Sequence, residues 1–155
     1  MMRSGTIVAL AAILLMAGAG LSAAQDKEAQ IKARQDFMEA QQKDVNAINA
    51  YAKGEGDKAT ALDKLKDLIA RAPKIVDQFP PGTSMKEFPD KTKAKPEIWA
   101  EWDKAKLMPD GLKAAEEKLV GTIDTGTPQQ VGETMRTIYR ENCNGCHTPY
   151  RAPKS

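Results

Sequence analysis

Residues 138–151, Ile138-Tyr139-Arg140-Glu141-Asn142-Cys143-Asn144-Gly145-Cys146-His147-Thr148-Pro149-Tyr150-Arg151, place a C-x-x-C-H run almost at the end of the chain. Two thiols at i and i+3 can each form a thioether with a haem vinyl group, and the adjacent imidazole can ligate the iron. On a helix the three side chains share one face. The run uses both cysteines and the only histidine of the sequence. A structural zinc site would need four such ligands, and a thioredoxin-like C-x-x-C would sit beside a βαβ pattern that is absent here. Covalent attachment of one haem through Cys143 and Cys146, with His147 on the iron, is therefore expected.

Working back from the motif, Thr127-Pro128-Gln129-Gln130 reads as a helix start. Thr is a good N-cap, Pro suits the first helical position and Gln130 can close a capping box. Val131, Met135 and Ile138 carry the apolar face of this helix into the motif. Before it, Pro96 fits the first turn of another helix with Ile98, Trp102 and Ala105 facing inward. Pro109-Asp110-Gly111 interrupts that pattern, and Leu112, Ala115, Leu119 and Ile123 resume it, so a bent or split helix is expected there. Residues 80–95 have no apolar period and read as a long surface connection.

Two further helices precede that connection. The first is expected from about Lys27 to Lys53, with Ile31, Arg34, Met38, Gln41, Val45, Ile48 and Ala52 at alternating three- and four-residue steps. Gly54 and Gly56 end it. The second opens with Asp57 as N-cap and carries Leu62, Leu65, Ile69, Ala72, Val76 and Phe79, with a kink or early end expected at Pro73. Only 5% of residues are aromatic, which argues against a β-sandwich. The expected fold is all-α, an antiparallel four-helix bundle with the haem attached near the C-terminus.

The other end of the chain agrees with the motif. Arg3, the apolar stretch Ile7 to Gly20 and the small residues Ser22 and Ala24 have the layout of a cleaved signal peptide over residues 1–24. The apolar stretch is short for a membrane span. Removing 24 residues from 155 leaves 131, residues 25–155, which suits one domain. Basic residues then number 22 against 21 acidic ones, without the excess of a nucleic-acid binder. Export to the periplasm fits a protein whose haem is attached outside the bacterial cytoplasm.

With these residues together, the chain resembles the class II c-type cytochromes, cytochrome c′ and the cytochrome c556 group. The resemblance spans essentially the whole mature chain. It rests on the C-terminal position of the motif, Tyr150-Arg151 behind it, Lys95-Pro96-Glu97-Ile98-Trp99, Phe79-Pro80-Pro81-Gly82-Thr83, and Arg34-Gln35 with Met38. Leu107 to Gly111 departs from the family, which usually keeps its third helix continuous.

The sixth iron position sets the function. A second histidine is excluded, and of Met38, Met85, Met108 and Met135 only Met38 lies on the inward stripe of the first helix. The resemblance implies the same residue, because in the cytochrome c556 branch a Met of the first helix ligates the iron. In cytochrome c′ an apolar side chain blocks that position, leaving a five-coordinate haem that takes up nitric oxide or carbon monoxide. The resemblance further implies that Arg34 and Arg151 lie near haem propionates or the proximal histidine, and that a homodimer forms through the first two helices. Tyr150 is a candidate cover for the proximal side of the ring. The expected function is one-electron transfer with an unnamed redox partner protein, without enzymatic activity; gas binding is the alternative.

Overall fold

The structure, a computed structural model, describes residues 8–153, and side chains from residue 24 onward. Four long helical rods run antiparallel. The first, α1, spans Val8–Ala52, and α2 spans Lys58–Arg71 with a 3-10 extension over Ala72–Gln78. A crossover leads to two single-turn helices, α3 (Glu97–Ala100) and α4 (Trp102–Ala105), and then to α5 (Met108–Thr125). The last rod joins α6 (Pro128–Ile138), a π-helical turn (Tyr139–Cys143) and α7 (Asn144–Tyr150). The only β pairing among the described residues is an isolated antiparallel bridge between Ala94 and Arg151.

Local chemistry explains most boundaries. Gly54, at φ 78°, turns the chain out of α1 in a left-handed conformation that a Cβ would penalise. Asp57 has extended backbone and its side chain accepts the Thr60 N–H at 2.9 Å, capping α2. Pro73 ends α2 at Arg71, because its ring cannot continue the hydrogen-bond ladder. At α6 the expected capping box is complete: Thr127 Oγ1 accepts the Gln130 N–H at 3.3 Å, and Gln130 Oε1 accepts the Thr127 N–H at 2.8 Å.

Three expectations are corrected. α1 begins far N-terminal of Lys27, at Val8, and passes Ala24 unbroken; residues 1–7 of the expected leader lie outside the described residues. The interruption of the third rod is not at Pro109, which sits harmlessly in the first turn of α5, but at Glu101 and at Lys106–Leu107. The crossover at 80–95 is not wholly a surface loop. Thr83, Ser84, Thr92 and Ala94 are buried in it, because their polar groups find partners inside the protein.

The apolar interior falls into two clusters. The larger joins Ile48 of α1, Leu65 and Leu68 of α2, Leu119 and Ile123 of α5, and Val131, Met135 and Ile138 of α6. The smaller joins Ile98, Ala105 and Tyr150, with Phe79, Trp99, Trp102, Met108 and Cys146 packed on it. Cys146 of the C-x-x-C-H segment packs on the smaller one.

Candidate haem site

The last rod positions the motif through a change of register. An unbroken α-helix would continue the buried stripe Val131, Met135, Ile138 through Asn142, Gly145 and Pro149. The π turn inserts one residue, closed by the Asn144 N–H donating to the Tyr139 carbonyl. The stripe then runs through Cys143, Cys146 and Tyr150 instead. Tyr150 is buried and both cysteines are half-buried, whereas Gly145 is exposed.

Beyond the motif the chain is pinned to the crossover. Lys95 N–H donates to the Tyr150 carbonyl at 2.9 Å and Ala152 N–H to the Lys93 carbonyl at 2.8 Å, around the Ala94–Arg151 bridge. The Tyr150 hydroxyl donates to Glu101 Oε2 at 2.9 Å. Burial, and then the Glu101 carboxylate, push that phenol up to about 12, so it stays a donor. Tyr150 thus lies beside Cys146 and ties α7 to the joint between α3 and α4.

Both cysteines are free. Burial raises both thiols, with the Glu116 carboxylate adding to the rise at Cys143. Burial, and secondarily the Arg151 guanidinium, lower His147, so its ring is neutral at physiological pH and keeps a lone pair for a metal. The Arg151 guanidinium thus lies close enough to His147 to affect it, and the Arg151 backbone N–H donates to the His147 carbonyl at 2.9 Å.

On the opposite rod, Arg34 and Met38 lie one turn apart. Arg34 is 4% exposed and its guanidinium serves the crossover. Nη1 donates to the Gln78 carbonyl at 3.2 Å and Thr83 Oγ1 at 2.9 Å; Nη2 donates to the Thr83 carbonyl at 2.8 Å and Thr92 Oγ1 at 3.0 Å. Desolvation pulls its pKa down to about 10, which leaves it charged at neutral pH. The group also lies 5.0 Å from the centre of the Phe79 ring, and Phe79 meets Trp99 edge-on at 6.2 Å. Phe79 packs on the same cluster as Cys146, so the face of α1 that bears Arg34 reaches the motif through one aromatic ring. Met38 is half-buried, and its sulfur accepts from Gln41 Nε2 at 3.8 Å.

The donor set fits a haem: two neutral thiols, unpaired by any disulfide, and a neutral imidazole on one helical segment, with Cys146 packed on an apolar cluster. Three neighbours escaped the sequence reading. The sequence places Phe79 at the end of a stripe and in the turn before Thr83, but not against the motif. Asp44 and Glu116 are buried carboxylates on the inward faces of α1 and α5. Their signal was present, since Glu116 lies four residues after Leu112 and three before Leu119, and Asp44 four before Ile48. Among the described residues no group of His, Cys, Asp and Glu is arranged to hold a separate metal ion.

A sequence profile of the Cytochrome C′ family matches residues 29–151. Among solved structures, a cytochrome c′ from Rhodobacter Spheriodes is similar at 24% identity, over 83% of this chain and 98% of that one, with a TM-score of 0.73. The R. palustris cytochrome c556 is 24% identical over 81% of this chain and 98% of that one, with a TM-score of 0.70. A cytochrome c′ described as having an unusual ligand-controlled dimer dissociation is 26% identical over 82% of this chain and 97% of that one, also with a TM-score of 0.70. No curated protein sequence matches. The profile covers most of the chain and includes the attachment motif, and the bundle is the one these structures share. The chain belongs to the cytochrome c′ family, the class II c-type cytochromes, and its cofactor is covalent haem c.

Proposed function

We propose that this cytochrome is a periplasmic one-electron carrier in which His147 and Met38 are the axial ligands and Cys143 and Cys146 carry the thioethers. The bound haem supplies the one-electron iron couple. The protein holds the imidazole neutral through burial and Arg151, excludes water with the Tyr150 and Phe79 cluster, and presents a thioether from α1. A ligand held by two rigid helices keeps one geometry in both oxidation states, which suits electron transfer. The observation that carries this reading is the placement of Met38 one turn beyond Arg34, on a face linked through Phe79 to the cluster holding Cys146. The other methionines are placed less well. Met135 is in the core on the motif's own rod, Met108 packs at the start of α5, and Met85 belongs to the crossover.

Residues 1–24 serve as the cleaved export signal in this reading, and no described helix is long and apolar enough to cross a membrane. The protein acts by passing electrons to a partner protein and not as an enzyme, since no second histidine is present to act as a distal acid–base group. A homodimer through α1 and α2 is the assembly expected of it.

One contact favours the alternative of a five-coordinate, gas-binding haem: the Met38 sulfur is engaged by Gln41 of its own helix. The visible spectrum decides. With Met38 bound, the ferric protein is low-spin, and Met38→Ala converts it to a high-spin form with a lower potential and faster carbon monoxide binding. A parent protein that is already high-spin and binds carbon monoxide unmutated would overturn ligation and assign gas binding.

A further inference from the structure

Two buried carboxylates and a half-buried guanidinium are not used by haem attachment or iron ligation. Asp44 of α1, 7% exposed, forms an ion pair with Arg71 at the end of α2. Glu116 of α5 is 4% exposed, and its Oε2 has no hydrogen-bond partner. Arg71 also acts on Glu116, and Glu116 acts on the Cys143 thiol in the π turn. The buried residues of α6, Val131, Met135 and Ile138, and Ala72 of the 3-10 turn are all uncharged.

This set holds two carboxylates and one guanidinium. Arg71 is already engaged by Asp44, so an ionised Glu116 is an excess negative charge in a dry place. Such a charge is costly and is readily removed by a proton. Its influence reaches Cys143, one of the two attachment points of the haem. Adding an electron at the iron makes the site more negative, which favours protonation of a nearby carboxylate that lacks a full counter-charge.

We propose that Glu116 is a redox-linked proton-binding site: when the haem iron takes one electron from a one-electron donor, the Glu116 carboxylate takes one proton from solvent. The ferric iron is reduced, the carboxylate becomes a carboxylic acid, and the net charge of the pocket is unchanged. Arg71, whose side chain is 25% exposed, marks the side from which solvent protons enter. Burial pushes the Glu116 carboxyl up to about 7, against the opposing effect of Arg71, which places the transition in the neutral range. The inference rests on the haem and not on the identity of its sixth ligand.

The test is a potentiometric titration of the haem-loaded protein from about pH 5 to about pH 9. In the parent the potential falls as pH rises through neutrality, approaching one proton per electron, and Glu116→Gln loses that slope. A flat parent, or a Gln variant with the parental slope, would overturn the proposal. Two measurements on the parent stand even if the variant loads haem poorly. Reduction in weakly buffered solution should take up close to one proton per haem at neutral pH, and redox-difference infrared spectra should show a protonated carboxyl appearing on reduction. Absence of both overturns the proposal. The spin state reports Met38 and the pH slope reports Glu116, so either reading can fail without the other.

Discussion

At the scale of single residues, Arg34 shows how a side chain takes its role from its surroundings. The resemblance implies a place near haem propionates or the proximal histidine, and within the protein its four hydrogen bonds go to backbone and threonine oxygens of the 78–92 segment. Hydrogen bonds from a charged donor are stronger than neutral ones, and removing the donor leaves buried acceptors unpaired. Arg34→Gln is expected to destabilise the protein by about 2–4 kcal/mol in urea unfolding. Arg34→Lys should recover only part, since a point charge cannot span Thr83 and Thr92 together. An unchanged unfolding midpoint in the Gln variant would show that these bonds contribute nothing. Arg34 and Met38 were readable as inward-facing, because a three- and four-residue period is visible in the sequence. The partners of Arg34 were not, since residues 80–95 lack any apolar period and a polar stretch reads as solvent-facing until its polar groups are seen to be satisfied inside.

At the scale of elements, the π turn is the part that no periodicity announced. The capping box at Thr127 and the cap at Asp57 follow from residue types at fixed offsets, and both formed as read. The extra residue at 139–143 changes only which carbonyl accepts one hydrogen bond, and nothing in Tyr-Arg-Glu-Asn-Cys demands it locally. What selects it is the bundle, which gains by turning Cys146 and Tyr150 onto the second cluster. Deleting Glu141 should remove the extra residue, return the rod to α-helical register and leave Cys143, Cys146 and Tyr150 on the same stripe. Intact-mass analysis of exported protein is expected to show covalent haem still attached. Loss of attachment in the deletion variant would show that the π turn does more than set the register.

At the scale of the whole molecule, the apolar interior is divided between two clusters that do not merge. A haem attached to the last rod adds apolar contact that the side chains alone do not supply, so replacing Cys143 and Cys146 by Ala is expected to lower helicity and the melting temperature. Unchanged circular dichroism and thermal unfolding would refute that dependence. Charge acts at the same scale. The Glu116 carboxyl ionises at about 7 in the folded chain, and in the ordinary carboxylate range once unfolded. The folded state therefore holds an extra proton between those values, and stability falls as pH rises from the ordinary carboxylate range to about 7, by at most ~3 kcal/mol. Glu116→Gln should flatten that fall and raise the neutral-pH melting temperature; a variant less stable than the parent above pH 7 would contradict it. The sequence by itself determined the helical rods, their caps, the breaks at Gly54 and Pro73, and the attachment motif, because each depends on groups within about five residues of one another. Only the tertiary structure decided that Arg34 bonds to residues 44 to 58 positions away. It alone brought the buried carboxylates Asp44 and Glu116 and the half-buried Arg71 from three helices into one set. The cost of a buried charge depends on which helices pack together, and local pattern carries no record of that.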